Sequence, residues 1–390
     1  MVISSGGKYQ FKKIICMKKI ILYLAVAFGV ISCKPKYAKE GISVNVDDAI
    51  DVQLEEVATN IRVFPIVCDN PMKEIGVFQI YGDEMLAMDA SSQLIYYLKD
   101  FKVQKVLNSV GRGRGEYLSL NYMLYDKERK ILYLTQNVNG TTILKYSIPD
   151  MGFLGAIESP YKVSVVRFYD RNTFLASMKT EEDVNGLYLF DIGTEQVIKK
   201  ICDLSSYQYQ QSNNGLMNFE EDRHWISLFG PTNKLCNYSN DSLEVLMSLN
   251  YGEMDADYIY DMKAITSKDV EKITKFLAEG DKYFVNFYYP RMYEDGVSFW
   301  YSSFREKQGN YRYYRVTKNK EIHYKGFHIS GLKIPVYPAC SYGNGYAFII
   351  QGSLDDIKDP SVTPSPLAKK ILNVLSEQTD DNPVIVLFDI

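Results

Sequence analysis

Histidine and tryptophan are scarce in this chain of 390 residues, which has three of the first and two of the second. The histidines, His224, His323 and His328, form no H-E-x-x-H motif, and the acidic residues do not follow the spacing of an EF-hand loop. The chain also lacks a G-x-S-x-G elbow and a Walker motif. The sequence therefore gives no support to a metal centre, a serine hydrolase or a nucleotide site, and we expect neither a metal nor a cofactor.

An excess of either charge is also missing. The chain has 44 basic and 48 acidic residues, a net charge of −4, and no polybasic stretch. Proteins that bind nucleic acids usually concentrate basic residues on one face. We therefore expect no nucleic-acid partner.

Cysteines are few and contain no C-x-x-C pair. Beyond the N-terminal region there are four, which could pair in three ways: Cys68, Cys202, Cys236 and Cys340. Because they are scattered over different strands and a lone cysteine packs as a small apolar side chain, we predict buried thiols, with a disulfide as the alternative.

No apolar run is long enough to span a bilayer stably, and the longest lies near the N-terminus. Met17-Lys18-Lys19 gives a positive start, Ile20 to Ile31 an apolar stretch, and Val30-Ile31-Ser32-Cys33 an ending like a bacterial lipobox. Residues 1–33 are thus a predicted signal region, with Cys33 as the lipidated mature N-terminus. Residues 1–16 have no role in this scheme, so we interpret Met17 as the true start; an extended signal is the alternative. Residues 34–60 are polar and acidic, which predicts a flexible tether.

The strongest positive signal is a repeated β pattern, clearest between Gly111 and Glu158. The glycine-rich loop Gly111–Tyr117 precedes four strand-sized apolar runs, separated by turn residues such as Asn139-Gly140. This pattern predicts a four-stranded antiparallel meander with strands at Leu118–Tyr125, Ile131–Gln136, Thr142–Ile148 and Met151–Ile157.

An aromatic residue marks the third strand of each repeat along the chain. Three of the five intervals between these anchors have about the length of a propeller blade, and two are about thirty residues longer. The anchors are Tyr97, Tyr146, Phe190, Tyr238, Tyr314 and Phe388. They predict an all-β, six-bladed β-propeller over residues 61–390. Because the last blade lacks one strand, we expect the N-terminal run Ile61–Val67 to close it.

The two long intervals predict insertions at residues 251–281 and 352–382. Each contains a helical signal: the capped start Thr266-Ser267-Lys268-Asp269 in the first, and Leu367, Ile371 and Leu375 at helical spacing in the second. We expect both helices to dock on the propeller through their apolar stripes, with recruitment of a partner as the alternative.

Three segments carry a family resemblance: the loop Gly111–Tyr117, the turn Tyr125-Asp126-Lys127 and the terminal strand Asp381–Leu387. With them the chain resembles the six-bladed β-propeller lipoproteins of Bacteroidetes, the TolB-like group, although Arg114 stands where that loop commonly has proline. The resemblance implies a lipid-anchored protein of the cell envelope and does not imply an activity. Since Lys34-Pro35-Lys36-Tyr37 lacks the acidic run that accompanies surface export in such lipoproteins, we expect the periplasmic side of the outer membrane.

The glycine-rich loop is the first candidate site. A dinucleotide site is excluded because Glu116 occupies the third glycine position and a strand follows where a helix is needed. The glycines permit a tight turn, and Arg112, Arg114 and Glu116 either form an internal ion pair or contact a ligand.

Further candidates come from other loops and from an aromatic-rich stretch. In a meander, the loops that join blades lie on the same face as the insertions, which places the loops with Tyr207 and His328 beside Gly111–Tyr117. The aromatic residues from Tyr283 to Tyr314 are predicted to be mostly core, but the loop residue Arg291 could join some of them in holding a sugar or peptide. We predict that six residues bind ligand: Arg112, Arg114, Glu116, Tyr207, Arg291 and His328.

These observations favour a non-catalytic, lipid-anchored binding protein that is a monomer and holds a glycan, a peptide or a partner protein. The alternative is a carbohydrate-active hydrolase or lyase with its site at the propeller channel.

Overall fold

The structure is a computed structural model, and it describes residues 42–43, 48–68, 72–137, 140–182, 184–204, 217–220, 223–228, 234–239, 241–250, 285–293, 296–303, 311–317, 320–378 and 382–390. The signal region with Cys33, the loop with Tyr207 and the insertion at 251–281 lie outside the described residues.

Four short elements precede the first repeat: β1 (Ile42–Ser43), β2 (Ile50–Gln53), helix α1 (Leu54–Val57) and β3 (Thr59–Pro65). The first sheet contains β4 (Ile75–Tyr81), β5 (Glu84–Asp89), β6 (Ile95–Lys99) and β7 (Lys102–Leu107). The second contains β8 (Leu120–Asp126), β9 (Ile131–Gln136), β10 (Thr142–Ser147) and β11 (Phe153–Glu158). The third contains β12 (Lys162–Phe168), β13 (Thr173–Lys179), β14 (Asn185–Asp191) and β15 (Gln196–Asp203).

The C-terminal half continues in the same way. The fourth sheet contains β16 (Met217–Glu220), β17 (Arg223–Leu228), β18 (Lys234–Ser239) and β19 (Ser242–Asn250). The fifth contains β20 (Val285–Tyr293), β21 (Gly296–Ser303), β22 (Tyr311–Thr317) and β23 (Glu321–His328). The last contains β24 (Cys340–Tyr342), β25 (Gly345–Ile350) and β26 (Val384–Asp389), and the helices α2 (Leu354–Ile357) and α3 (Pro366–Glu377) lie between β25 and β26 in the chain.

Within every sheet, consecutive strands pair antiparallel, as the repeat predicts. The aromatic anchors all lie on third strands, and each is at most 4% exposed. The first strands of neighbouring sheets contact one another, β4 with β24, β8 with β12 and β16 with β20. Sheets that meet through their first strands radiate from a common axis. The chain is therefore an all-β propeller with few helices.

The predicted closing strand is present. Strand β3 pairs antiparallel with β26, with Val63 opposite Val386, so the N-terminal segment completes the last sheet. This pairing satisfies the backbone groups that an open edge would leave exposed.

The flexible tether predicted for residues 34–60 is wrong for its last part. Strand β2 pairs in parallel with β23, and β1 pairs in parallel with β19. Leu54 of α1 is fully buried in the same apolar cluster as Phe327. The segment is too short and too polar to show a period, and the strand edges on which it pairs are remote in sequence.

The helix predicted from Leu367, Ile371 and Leu375 is α3. Pro366 occupies its first turn, and the Ser365 hydroxyl accepts a hydrogen bond from the Ala368 N–H. Its apolar stripe packs against β3 and β26, the outer two strands of the last sheet, with Leu367 and Ile371 buried. For this insertion the docking interpretation is confirmed.

The aromatic-rich stretch is mostly core, as predicted: Phe299, Trp300, Tyr301, Tyr313 and Tyr314 are at most 1% exposed. No disulfide joins the four cysteines of the described region, and the prediction of buried thiols is confirmed for three of them, whereas Cys202 is partly exposed. No helix in the described part of the chain is long and apolar enough to cross a membrane.

Candidate functional site: a groove beside the glycine-rich loop

A groove of about 660 Å³ lies between the glycine-rich loop and the second sheet. Its volume falls in the range of about 300–1,000 Å³ that is typical of small-molecule sites. The loop forms one wall through residues 111–116 and Leu118, and the sheet forms the other. The sheet contributes Gln136, Thr142, Leu144, Phe153, Gly155, Ala156 and Glu158.

The loop is held in one conformation by hydrogen bonds at both ends. The Gly111 N–H donates to the Tyr117 carbonyl at 3.0 Å, and the Tyr117 N–H donates to the Ser109 carbonyl at 2.9 Å. The Tyr146 hydroxyl donates to the Gly115 carbonyl. Tyr117 is itself fully buried, and its hydroxyl donates to the Gln93 carbonyl. A loop fixed in this way presents its side chains without a large ordering cost on binding.

Gly115 is the one loop position at which glycine is required for two reasons. Its φ is +76°, a region that other residues enter at a cost, and a Cβ atom there would lie 2.6 Å from Cγ of Phe153. The loop can approach the Phe153 ring only because this side chain is missing.

The internal ion pair proposed for Arg112, Arg114 and Glu116 does not form. The Glu116 carboxylate folds back onto the loop and accepts the Gly113 N–H through Oε2 at 2.5 Å. It also lies beside Gly111, where a Cβ atom would be only 2.1 Å from the same oxygen. The carboxylate thus satisfies a backbone donor of the glycine turn, which the sequence did not reveal because three glycines leave its approach open.

The two arginines are exposed and project from this fixed turn. Within the described residues neither guanidinium has a carboxylate within 4.0 Å and neither makes a side-chain hydrogen bond. Of the two interpretations given by the sequence, ligand contact is the one that this geometry leaves open.

The opposite wall comes from the third and fourth strands of the sheet. Leu144 lies opposite Ala156 in the register, and Thr142 lies opposite Glu158, so these four share one face. The Thr142 hydroxyl donates to Glu158 at 3.1 Å. Phe153 is half-buried and packs edge-on against Tyr146 with a centroid separation of 5.7 Å.

The sequence analysis missed this wall. Period-2 alternation could have placed Thr142 and Leu144 on one face of their strand, but nothing local shows that the loop before the sheet folds over that face.

The groove lies at the end of the sheet where β8 begins and β9 ends, since Leu120 pairs with Gln136. That is the end at which loops between sheets and loops between second and third strands meet, as the meander rule requires. The sheet lining comes from β10 and β11, the strands farthest from the first-strand contacts, together with Gln136 at the end of β9, and it includes no residue of β8. The groove is thus displaced from the axis of the propeller.

Arg291 is not positioned to bind a ligand in this groove, and its predicted place in a loop is wrong. It lies in β20, is 8% exposed, and donates through Nη2 to the carbonyls of Gly343 and Gly345 at 3.1 and 2.6 Å. Its guanidinium also stacks over Tyr346 at 4.6 Å. A bulge after Tyr288 turns the Arg291 side chain inward. Its contacts then connect the fifth sheet to the turn between β24 and β25 in the sixth.

His328 ends β23 and is exposed, but it does not line the groove. Its Nε2 lies 3.3 Å from Oδ1 of Asp51, which the parallel pairing of β2 places beside it. The predicted contact of Tyr207 falls outside the described residues. Of the six predicted residues, the structure therefore brings together Arg112, Arg114 and Glu116. No group of three or more His, Cys, Asp or Glu side chains in the described ranges could hold a metal ion.

Comparison with known proteins adds information on the fold. No protein-family model matches the chain, and no curated protein does. Among solved structures, the chain is similar to a predicted exported protein of Bacteroides fragilis, with 14% identity and a TM-score of 0.66, over 90% of this chain and 99% of that one. The likeness is one of fold.

Two further solved structures show weaker likeness. A member of the DUF4221 family from Bacteroides vulgatus has 12% identity and a TM-score of 0.46, over 85% of this chain and 97% of that one. The WD40 repeats of RRP9 have 10% identity and a TM-score of 0.40, over 84% and 97%.

Proposed function

We propose that this protein is a lipid-anchored, six-bladed β-propeller of the bacterial cell envelope, of the TolB-like kind, that binds a ligand without catalysis in the groove at Arg112, Arg114 and Glu116. The ligand is a glycan, a peptide or a partner protein, and the protein acts as a monomer. Each of the six sheets is one blade.

The groove is the observation that carries the binding role. It combines a fixed loop, two guanidinium groups without an acidic partner in the described region, and an apolar wall that includes Phe153. Fixed polar groups over an apolar surface are typical of a binding site. For the anchor, the support is the lipobox that ends at Cys33, together with the fold shared with an exported protein.

Titration calorimetry against a panel of cell-envelope glycans and peptides tests the binding role. We expect the wild type to bind at least one member of the panel and the double variant R112A/R114A to lose that binding. Arg171→Ala is the matched control, since Arg171 is an exposed arginine in a turn at the other end of the neighbouring sheet. Binding that survives in R112A/R114A, or no binding by any member of the panel, would contradict the proposal.

The enzyme alternative is tested with the same panel. Product formation from a bound glycan, detected by chromatography and abolished in Glu116→Gln or Glu158→Gln, would replace the binding role with catalysis. We expect the bound glycan to be recovered unchanged.

Cys33→Ser tests the anchor. Because the rest of the chain has no apolar run long enough to hold a membrane, we expect the variant to leave the membrane fraction. Fractionation that is unchanged by the substitution would refute lipidation at Cys33.

A further inference from the structure

We infer that the groove recognises an acidic oligosaccharide, whose carboxylate is held by Arg112 and Arg114 while its sugar rings lie against the wall formed by β10 and β11. The inference rests on the proposed binding role of the groove and specifies the chemical class of the ligand.

The charge of the ligand follows from the two arginines. A guanidinium offers a planar fork of donors that matches a carboxylate, and charge-assisted bonds of this kind are stronger than neutral ones. Arg112 and Arg114 emerge from the same fixed turn, with no described carboxylate within 4.0 Å to neutralise them. Glu116 accepts the Gly113 N–H through Oε2 and forms no ion pair with either guanidinium.

A peptide added as a strand is disfavoured by the edge of β11. Elsewhere the outer strands of this protein do accept a strand, as β19 and β23 do from the N-terminal segment. On β11, however, the Glu158 N–H already donates to the Glu195 carboxylate at 3.2 Å. Gly155 has a φ of +137°, and the pairing with β10 shifts register beside it. An edge that is capped and bulged cannot continue a ladder.

The remaining features of the groove suit a sugar. Glu116 and Glu158 supply carboxylate oxygens that can accept hydrogen bonds from hydroxyl groups, while Phe153 and Leu144 supply an apolar surface. Sugar rings present hydroxyl donors at their rim and C–H groups on their faces, so they can use both kinds of contact. The open volume of about 660 Å³ admits more than a single ring.

The test compares three probes of similar length by titration calorimetry: oligogalacturonate, the neutral galacto-oligosaccharide and oligoglutamate. We expect the full chain to bind oligogalacturonate at low salt and more weakly at physiological salt, because exposed charges are screened. The neutral sugar and the acidic peptide should bind at least about tenfold more weakly, since each lacks one set of contacts.

Variants locate the contact. We expect R112A and R114A each to weaken oligogalacturonate binding about tenfold or more, and R112K/R114K, which keeps the charge and loses the fork, to fall between them and the wild type. Phe153→Leu should weaken the acidic and the neutral sugar by the same factor. R171A should bind like the wild type, and circular dichroism melting verifies that each variant is folded.

The outcomes separate this inference from the proposed function. If the neutral sugar or the peptide binds as tightly as oligogalacturonate and R112A/R114A abolishes that binding, the acidic-sugar assignment is overturned and the binding role stands. If oligogalacturonate binds equally well to R112A/R114A, the inference is refuted whatever else binds. If none of the probes binds, the inference also fails, and the wider panel alone then decides the binding role.

Discussion

Replacing Glu84 by glutamine should destabilise the protein at neutral pH, and the loss should disappear in acid. Glu84 is 7% exposed and joins the first two sheets. Its carboxylate accepts hydrogen bonds from the Tyr97 hydroxyl at 2.7 Å and from the Lys130 ammonium at 2.7 and 2.9 Å. The Tyr125 hydroxyl is a weaker donor at 3.3 Å.

The magnitude follows from what glutamine can replace. Its amide oxygen can still accept from Tyr97, but that bond changes from charge-assisted to neutral at a cost of about 1 kcal/mol. Its NH₂ group faces Lys130, which must turn to solvent. The lysine side chain is 45% exposed, so the lost ion pair costs only about 1 kcal/mol, nearer to a surface pair than to a buried one. We therefore expect a loss of about 2 kcal/mol at pH 7.

The pH dependence gives the sharper test. Burial by itself would raise the pKa of Glu84, but the hydrogen bonds from Lys130 and Tyr97 outweigh it and hold the pKa below its ordinary value of 4.5. A carboxylate whose pKa is lower in the folded state adds stability above the unfolded pKa and loses it as the pH falls through the folded pKa. The difference between wild type and E84Q should thus be full at pH 7 and shrink steadily below about pH 4.5.

Equilibrium urea unfolding from pH 7 to pH 3 measures both quantities. Asp83→Asn is the control, because Asp83 pairs with Lys99 at 3.7 Å through side chains that are 52% and 54% exposed, which predicts a loss below about 0.5 kcal/mol. The reasoning is refuted if E84Q is no worse than D83N at pH 7, or if its loss is the same at every pH.

Three other substitutions or treatments probe the loop, the core and the thiols. Gly115→Ala should lower the free energy of unfolding by about 2–4 kcal/mol, since it adds a clash with Phe153 to the cost of positive φ. The control is Gly343→Ala, which should lose only about 1 kcal/mol because Gly343 has a φ of +52° and no atom within 4 Å of the added Cβ. Equal losses in thermal unfolding would argue against the clash. Arg291→Met should lower the free energy of unfolding in urea by about 3 kcal/mol, because the Gly343 and Gly345 carbonyls lose their donor. The affinity for ligand should stay unchanged, and a selective loss of affinity would show that Arg291 belongs to the binding site. Burial raises the pKa of the Cys340 thiol to about 12, so a maleimide at pH 7 should label it only after denaturation, and fast labelling of Cys340 in the native protein would contradict the packing.

The sheets were predictable because their signals are local. Strand alternation, turn residues and a buried aromatic on each third strand recur along the chain, and the four strands predicted in the second sheet agree with the structure to within a few residues. The closing strand was predictable for a different reason. An apolar run without a partner and a last sheet short of one strand can each be read from the sequence, and joining them satisfies both.

The candidate site was predictable only in part. The glycines and arginines concentrated in Gly111–Tyr117 indicate an unusual loop, and this loop forms one wall of the groove. Arg291 and His328 looked equally suitable, yet one is buried against the carbonyls of another sheet and the other faces Asp51. Their partners are 54 and 277 residues away, so no local pattern could identify them.

The sequence by itself therefore determined the strands, the faces they bury and the unusual loop, since each depends on backbone geometry with a period of two and on turn chemistry within a few residues. Tertiary structure alone decided which groups meet. It placed Glu55 on the N–H of Leu367, 312 residues away, turned the predicted tether into edge strands, and set Phe153 against Gly115 to make a groove. Contacts of this kind depend on how whole sheets pack, and packing depends on shape and volume over the entire core rather than on any one segment.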